Sequence, residues 1–473
     1  MSETAAATPP ARPHDPTRTE LRGYLAEVLD RYGVPWAWQG PTGAAAAWDS
    51  ARGPADLDVW WDPSPAARAE VLRELGQLQP FAVVAESTDP RRLRHLSLAF
   101  EVAADLAVVD FTAGDLLVGP VRLVPAADVR VEPTPDGPRL AGVAAAADLL
   151  IRPLLRGKTP PEARVAESQR AWASTTEVER AAALVRWRSE LGSETHRVAE
   201  VLAGAECPPD LAGRLRRRLL ARTLAPSGVA AAWRQRWSVA PAGRAAGPLK
   251  LRTRGVVVAL VGTDGSGKST VARSLRERLE ALGYTTAEAY FGMARGNLPG
   301  VGLARRVLGI KAEPEDPDPP TGRTEVEAAG PAELNYPMIR RAAAWFYAAE
   351  YAWRYARHVA PEVRRRSVVV CDRYVYDLRD SPWPGSAAAR FAEWLVPPPD
   401  VLVLPDAPAE LIHARKPERA LAEQARQQQE FAALLAERPA RCAELVVDTS
   451  GADPDPAASI VAAVVAASHR PRR

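Results

Sequence analysis

The sequence predicts an α/β protein of at least two domains, one of which contains a parallel sheet flanked by helices. Three observations predict it. The length of 473 residues exceeds the size at which a single hydrophobic core usually stops growing. The continuous apolar run 255–261 is typical of a strand buried on both faces, and a glycine-rich turn and a helical pattern follow it directly. In the N-terminal third, short apolar runs alternate with helical patterns, as in a mixed α/β domain.

The composition of the chain favours no large charged partner. With 61 basic and 58 acidic side chains, the net charge is +3, so we expect neither a nucleic acid nor a membrane surface as a partner. The three cysteines are widely spaced and form no CxxC pair, which fits a reducing, cytoplasmic location. Residues 1–19 are polar and lack an apolar core, so we interpret them as a disordered tail and not as a signal sequence or a membrane span.

Changes in composition and periodicity divide the rest of the chain into three regions. Residues 20–140 start with a helical pattern and continue with five short apolar runs, and we predict a mixed α/β domain there. Residues 141–249 combine helical periodicity with abundant arginine and end in a stretch rich in Pro, Ala and Gly, which indicates a helical connector and a linker. Residues 250–473 should form the second α/β domain. The segment 310–331, rich in Pro, Glu, Asp and Gly, should be a mobile insertion in it.

The glycine-rich turn carries the most specific motif in the chain. Residues 262–270 read GTDGSGKST and fit the pattern GxxxxGK[ST] between a strand and a helix. Glycines let backbone N–H groups surround phosphate oxygens in conformations that a Cβ would obstruct, and the helix dipole adds to the attraction. We therefore predict an ATP site, in which Lys268 reaches the β and γ phosphates and Ser269 holds Mg²⁺. The predicted binding residues are Gly262, Asp264, Gly265, Ser266, Gly267, Lys268, Ser269 and Thr270.

Two later apolar runs end in charged residues that favour phosphoryl transfer. The run 367–371 ends in Asp372 and Arg373, at the edge where open parallel sheets bind ligands. We expect Asp372 to hold Mg²⁺ and Arg373 to bridge the donor and acceptor phosphoryl groups. After the run 401–404, a helical pattern leads to Arg415 and Arg419, which could close over the phosphates or simply form a solvated cationic face. With Lys268, these four residues are the candidate catalytic residues.

On these motifs, residues 255–473 resemble the thymidylate kinase type of nucleoside monophosphate kinases. The loop 262–270 is similar to the family's phosphate loop, in which the acid that corresponds to Asp264 contacts the acceptor sugar hydroxyl. Residues 371–374 are similar to the family's Asp-Arg-aromatic motif, and residues 415–419 fall at its lid. The resemblance implies ATP- and Mg²⁺-dependent phosphate transfer to a nucleoside monophosphate or another phosphorylated small molecule.

Two stretches that recognise the acceptor in that family differ in this chain. The Arg-Glu-Pro-Gly stretch is absent, and residues 290–296 read YFGMARG in its place. The helix arginine that contacts the acceptor is Tyr351 here, although Arg354 lies one turn further on. The aromatic residues between 345 and 355 could stack on a base or form a core. The sequence therefore leaves the acceptor unidentified and predicts poor use of dTMP.

A second candidate metal site lies in the N-terminal region. Asp56 and Asp58 fall on one face of a predicted strand, and Asp110 lies near the end of the apolar run 106–111. Three converging carboxylates can hold two divalent ions. With the glycine turn at Gly40, the arrangement resembles the minimal nucleotidyltransferase fold over residues 20–150, although no serine follows the glycine directly. The resemblance implies that the three acids are metal ligands.

Three hypotheses about the whole protein follow. The first is a kinase fused to a nucleotidyltransferase-like domain, with ATP and a small-molecule phosphate acceptor as its partners. The second is a nucleotidyltransferase that the ATP-binding domain regulates. The third is an ATP-dependent switch without enzymatic activity that binds a partner protein. Each of them leaves a homodimer open.

Overall fold

The chain divides into two compact units, Met1–Ala245 with Leu249–Leu251, and Ala246–Pro248 with Arg252–Arg473. The computed structural model describes residues 17–49, 56–89, 92–102, 105–239, 254–291, 337–379, 385–417, 420–436, 442–451 and 455–469. The predicted tail up to residue 16, the predicted insertion at 310–331 and the candidate lid residue Arg419 lie outside the described residues.

The first unit contains a mixed sheet. Its strands are β1 (Trp36–Trp38), β2 (Asp56–Trp61), β3 (Phe81–Asp89), β4 (Arg92–Val102), β5 (Asp105–Ala113), β6 (Leu116–Val118), β7 (Val121–Val124), β8 (Arg130–Glu132), β9 (Arg139–Ala141) and β10 (Arg236–Val239). Eight strands form one sheet in the order β10-β3-β4-β5-β2-β1-β9-β8, and β6 pairs with β7. The pairs β2–β5 and β1–β9 are parallel, and the others are antiparallel. The β2–β5 register sets Asp58 beside Asp110.

The helices of the first unit each bury part of their surface. They are α1 (Arg18–Arg31), α2 (Ala44–Trp48), α3 (Pro65–Leu78), α4 (Gly142–Ala146), α5 (Arg152–Leu155), α6 (Glu162–Ala173), α7 (Glu177–Leu191), α8 (Glu194–Leu202), α9 (Leu211–Leu224) and α10 (Pro226–Arg234). A π-helical turn, Ala147–Ile151, joins α4 to α5. Helix α1 begins at a capping box, because the Glu20 carboxylate accepts the Thr17 N–H while the Thr17 hydroxyl accepts the Glu20 N–H.

The helical segment that the sequence suggested as a connector lies within the first unit. One hydrophobic cluster joins Ala37 and Trp60 of the sheet to buried residues of this segment. Trp172 and Trp187 stack in it with ring centroids 5.4 Å apart, and Trp187 Nε1 donates to the Leu123 carbonyl at 3.0 Å. Helical periodicity predicts a buried stripe but does not say what covers it, so the sequence could not place this segment.

The second unit contains a parallel five-stranded sheet. Its strands are β11 (Val256–Leu260), β12 (Thr286–Tyr290), β13 (Val368–Asp372), β14 (Val401–Asp406) and β15 (Ala443–Asp448), in the order β12-β13-β11-β14-β15. Its helices are α11 (Lys268–Ala281), α12 (Pro337–Arg354), α13 (Ala360–Arg364), α14 (Ala387–Leu395), α15 (Ala409–Arg415), α16 (Leu421–Ala436) and α17 (Ala457–His469). Every residue of β11 is buried, as its continuous apolar run predicts. The α/β fold class is confirmed.

None of the helices in the described part of the chain has both the length and the apolar character needed to span a bilayer.

Candidate functional site

The glycine-rich turn connects β11 to α11 in the second unit. Gly262, Gly265 and Gly267 have φ values of +138°, +88° and +93°, which L side chains rarely adopt. A Cβ on Gly265 would lie 3.0 Å from the Ile412 carbonyl oxygen and 3.1 Å from the Lys416 Cβ. The loop therefore requires glycine for two reasons, its backbone conformation and its close approach to the segment that ends α15.

The Lys268 side chain is held against the phosphate loop by backbone carbonyl groups of the loop. Its side chain is 7% exposed, and Nζ donates to the carbonyl oxygens of Gly262 and Thr263 at 2.9 and 2.7 Å. Asp264 Oδ1 lies 3.7 Å from the same nitrogen. Burial, and then the positive charge of Arg373, lower the pKa of Lys268. The buried ammonium group forms its strongest hydrogen bonds with an ionised acceptor, and a phosphate would be such an acceptor.

Asp372 lies at the edge of the sheet where the loop begins. The β11–β13 register pairs it with Leu260, so its side chain lies at the carboxyl end of the central strand. Among the described residues, Asp372 Oδ1 and the hydroxyl oxygens of Thr263 and Ser266 are buried and have no hydrogen-bond partner. Buried polar atoms rarely lack partners in folded proteins. These three atoms in and beside one loop are available to a polar ligand.

Arg373 is fixed between two carboxylates. Nη2 donates to Asp264 Oδ1 at 2.5 Å, and Nη1 donates to Asp377 Oδ2 at 2.9 Å. Burial works to lower the pKa of Arg373, but Asp377 and Asp264 outweigh it and raise the pKa above its ordinary value. The residue has φ +67°, an uncommon conformation without glycine, which typically costs about 1 to 3 kcal/mol and recurs at functional sites. Its guanidinium therefore stays charged and oriented.

The candidate lid residue Arg415 reaches the phosphate loop through Thr449. Arg415 Nη2 donates to the Thr449 carbonyl at 2.7 Å, and the Thr449 hydroxyl donates to the carbonyl oxygen of Ser266 at 2.9 Å. The Arg415 side chain is exposed, so it is free to reorient toward a ligand. The structure thus brings Arg415 near the loop.

These residues fit ATP and Mg²⁺. The loop leaves no room for a Cβ at Gly265, and polar atoms around it lack partners. Ser269 and Thr270 are exposed in the first turn of α11, where the helix dipole favours an anion. A hydroxyl and a carboxylate are oxygen donors of the kind that Mg²⁺ prefers, so Ser269 and Asp372 would hold the ion.

The aromatic residues of α12 divide between the core and the surface. Tyr351 is 1% exposed and stacks on Phe291 with ring centroids 6.0 Å apart. Its hydroxyl has no hydrogen-bond partner among the described residues. Trp345 is 48% exposed and contacts Phe391. Next to Tyr351, Glu350 and Arg354 form a buried ion pair, so the Arg354 guanidinium is engaged within its own helix.

In the first unit, the structure brings the three predicted acids together. One carboxylate oxygen from each of Asp56, Asp58 and Asp110 lies within 4.8 Å of the other two. Desolvation raises the pKa of Asp58 and raises the pKa of Asp110 to about 6, against a hydrogen bond from Ser97. The Arg152 guanidinium lies 3.5 Å from Asp58, a contact that the sequence analysis did not anticipate.

Sequence reasoning missed three groups of residues at these sites. Asp377 holds Arg373, and its only signal is an acid five residues after a strand-end acid. Thr449 lies far along the chain and has no local signal. Asp148 and Arg152 had a signal, because two opposite charges four residues apart interrupt an otherwise apolar helical stretch at 143–155.

Comparisons with known proteins add to this geometry. No model of a known protein family matches the chain. The chain is similar to the nucleoside-triphosphatase THEP1 of Methanothermobacter thermautotrophicus, with 36% identity over 90 residues that cover 18% of this chain and 52% of that protein. It therefore spans about half the length of the curated relative it matches. Among solved structures, it is similar to the thymidylate kinase from Ehrlichia chaffeensis, with 17% identity, a TM-score of 0.27, and coverage of 43% of this chain and 94% of that one.

The loop geometry at 262–268 and the similarity to the nucleoside-triphosphatase both support a P-loop nucleotide-binding region in this chain.

Proposed function

We propose that the second unit is an ATP- and Mg²⁺-dependent phosphotransferase. The observation that carries the proposal is the meeting of three elements at one edge of the parallel sheet. These are the phosphate loop with its buried Lys268, the Asp372 carboxylate with its unpartnered oxygen, and the Arg373 guanidinium fixed by Asp264 and Asp377. A phosphate loop alone supports binding. The fixed arginine supports transfer, because a guanidinium can stabilise the negative charge that develops on the transferred group, and the strand-end acid would hold the Mg²⁺ ion.

Each side chain has a role in this proposal. The loop N–H groups and Lys268 bind the β and γ phosphates of ATP, and the low-dielectric surroundings strengthen that attraction. Arg373 would stabilise charge on the transferred group without reorganising, because its two carboxylate partners already orient it. Arg415 would close from the side of Thr449 and exclude water. Magnesium, held by Ser269 and Asp372, would neutralise phosphate charge when bound.

The proposal extends to the acceptor of the phosphoryl group. We infer a nucleoside monophosphate or another phosphorylated small molecule, on the resemblance of residues 255–473 to the thymidylate kinase type. Water is the competing acceptor, since the curated relative is a nucleoside-triphosphatase. The nucleotidyltransferase and switch hypotheses, the cytoplasmic location and the homodimer stay predictions.

One experiment separates these outcomes. The full chain is incubated with ATP, Mg²⁺ and each member of a nucleoside monophosphate panel, and the products are identified by mass spectrometry. A nucleoside diphosphate made from the acceptor supports the proposal, provided that Lys268→Ala lacks it. ADP that forms equally without acceptor indicates a nucleoside-triphosphatase, and pyrophosphate indicates nucleotidyl transfer. ATP binding without any product would contradict the proposal and favour the switch.

A further inference from the structure

Two opposite charges are buried within the α4–α5 helical segment of the first unit. Asp148 is 3% exposed, and the side chain of Arg152 is 14% exposed. They lie one helical turn apart, with Asp148 Oδ1 2.9 Å from Arg152 Nη1. The neighbouring residues Leu149, Leu150 and Ile151 are apolar and buried. Charges are rarely retained in such surroundings without specific partners, so the other contacts of this pair show what it does.

The backbone that carries the pair is widened at this point. Pro153 has no N–H, so the carbonyl of Leu149 has no helical donor from that position, and the helix takes a π turn at Ala147–Ile151. The Arg164 guanidinium satisfies the carbonyls there, donating from Nε to Leu149 O at 2.9 Å and from Nη2 to Asp148 O at 3.2 Å. The π turn is thus stabilised from outside the helix.

The Asp148 carboxylate binds the glycine turn between β1 and α2. Oδ2 accepts the Gly40 N–H at 2.9 Å. In the same turn, the Glu167 carboxylate accepts the Thr42 N–H at 2.9 and 3.0 Å and the Thr42 hydroxyl at 2.5 Å. Arg139 supports this arrangement by donating to Glu167 at 3.1 Å and to the Gly40 carbonyl at 2.7 Å. Backbone N–H groups at a glycine turn are the groups that bind phosphate oxygens, and here two carboxylates occupy them.

Arg152 binds the acid cluster on the other side of the pair. Its Nη2 lies 3.5 Å from Asp58 Oδ1, and Asp58 is set beside Asp110 by the strand register. Arg156, one turn further along, interacts with Asp58 and Asp110 through longer-range electrostatics. A divalent ion bound by these carboxylates would be repelled by a guanidinium at this distance.

We propose that the chain fills this site from within. Asp148 and Glu167 accept the N–H groups where a phosphate would bind, and Arg152 contacts Asp58, one of the carboxylates that a divalent cation would need. The acid cluster of the first unit therefore already has a guanidinium at Asp58, and it holds neither Mg²⁺ nor a nucleoside triphosphate. This inference does not depend on the function proposed for the second unit.

The test measures metal binding and not activity. Mn²⁺ alone is titrated into the nucleotide-free full chain, and free Mn²⁺ is followed by electron paramagnetic resonance. We expect the wild type to show no site tighter than the millimolar range. Arg152→Gln should create one site that is tighter by about tenfold or more, because the repelling charge is gone. The added substitution Asp58→Asn should abolish that site.

Arg156→Gln is the matched control. It removes a cation at the C-terminal end of the same helix without removing the contact between Arg152 and Asp58, so it should change Mn²⁺ binding less than Arg152→Gln. A folded Arg152→Gln protein that gains no site would overturn the proposal. If that variant does not fold, the wild type and Asp58→Asn are compared instead. Tight Mn²⁺ binding by the wild type that is lost in Asp58→Asn would also overturn the proposal.

A second titration tests the phosphate half of the proposal. In the Lys268→Ala background, ATP with Mg²⁺ is titrated by calorimetry. We expect adding Asp58→Asn to leave any residual ATP binding of Lys268→Ala unchanged. Residual ATP binding that disappears on adding Asp58→Asn would show that the first unit takes a triphosphate and would contradict the inference.

Discussion

Replacing Gly265 with alanine should separate the two reasons for which the phosphate loop requires glycine. The residue has φ +88°, and a Cβ there would lie 3.0 Å from the Ile412 carbonyl oxygen and 3.1 Å from the Lys416 Cβ. Gly283, just after α11, has φ +83° and nothing within 4 Å of an added Cβ. Gly283→Ala is therefore a matched control that adds backbone strain without the steric contact.

The two effects have different magnitudes. An L residue in the left-handed region costs about 1 to 2 kcal/mol, so both variants should lose roughly that much free energy of unfolding. At Gly265 the neighbouring atom is a backbone oxygen that cannot swing aside, so the loop has to shift by a few tenths of an ångström. Each hydrogen bond to a phosphate lost in that shift is worth about 1.5 to 3 kcal/mol. We therefore expect the Kd of ATP to rise about 10- to 150-fold in Gly265→Ala and to stay unchanged in Gly283→Ala.

Calorimetric titration of ATP with Mg²⁺ measures the affinities, and urea denaturation measures the free energies of unfolding. The reasoning is refuted if Gly265→Ala binds ATP as tightly as the wild type. It is also refuted if Gly283→Ala loses the same affinity, because the effect would then come from backbone strain alone.

Three further predictions follow. Burial, and then Arg152 and Arg156, lower the pKa of His95 to about 4, whereas an unfolded histidine titrates near 6.5. The unfolded state therefore binds more protons between these values, so the free energy of unfolding of the wild type should fall by about 2 kcal/mol more than that of His95→Gln between pH 7 and pH 5 in urea denaturation; equal falls would contradict the lowered pKa of His95. A fragment from residue 246 onward should be soluble and bind ATP, and an insoluble fragment without ATP binding would indicate a core shared by both units. Finally, dTMP should be a poor substrate, with selectivity weaker by on the order of a hundredfold or more, because two charged contacts that thymidylate kinases make to dTMP have no counterpart in residues 290–296 and at Tyr351; a kcat/KM for dTMP of about 10⁴ M⁻¹ s⁻¹ or higher that exceeds every other monophosphate would contradict this.

The fold of the second unit could be predicted because its signals are local. Buried parallel strands appear as continuous apolar runs, so the expected strand at 367–371 is found at Val368–Asp372. The phosphate loop is equally local, since its strand, turn and helix are consecutive in the chain. The contacts of Arg373 and Arg415 were not predictable, because Asp377 and Thr449 reach them only after the chain has turned or the sheet has formed.

In the first unit, the acids could be predicted but not their neighbours. Alternation along a strand puts Asp56 and Asp58 on one face, and this pattern is visible in the sequence. The Asp148 contact with Gly40 joins residues 108 positions apart, and it forms only when the helical segment packs on the sheet. Periodicity indicates that such a helix is buried without indicating its partner. The sequence therefore predicted a metal site where the structure shows one of the acids, Asp58, already in contact with an arginine.

The most direct test of the central claim is the affinity of the full chain for ATP with Mg²⁺, compared with that of Lys268→Ala. Lys268 is buried against the loop, and its nearest oxygens belong to the loop backbone and Asp264 and not to the core. The variant should therefore keep its fold, which circular dichroism can verify, and bind ATP at least about tenfold more weakly. Equal ATP affinities for the two folded proteins would contradict the account, because the phosphate loop would then not be the nucleotide site.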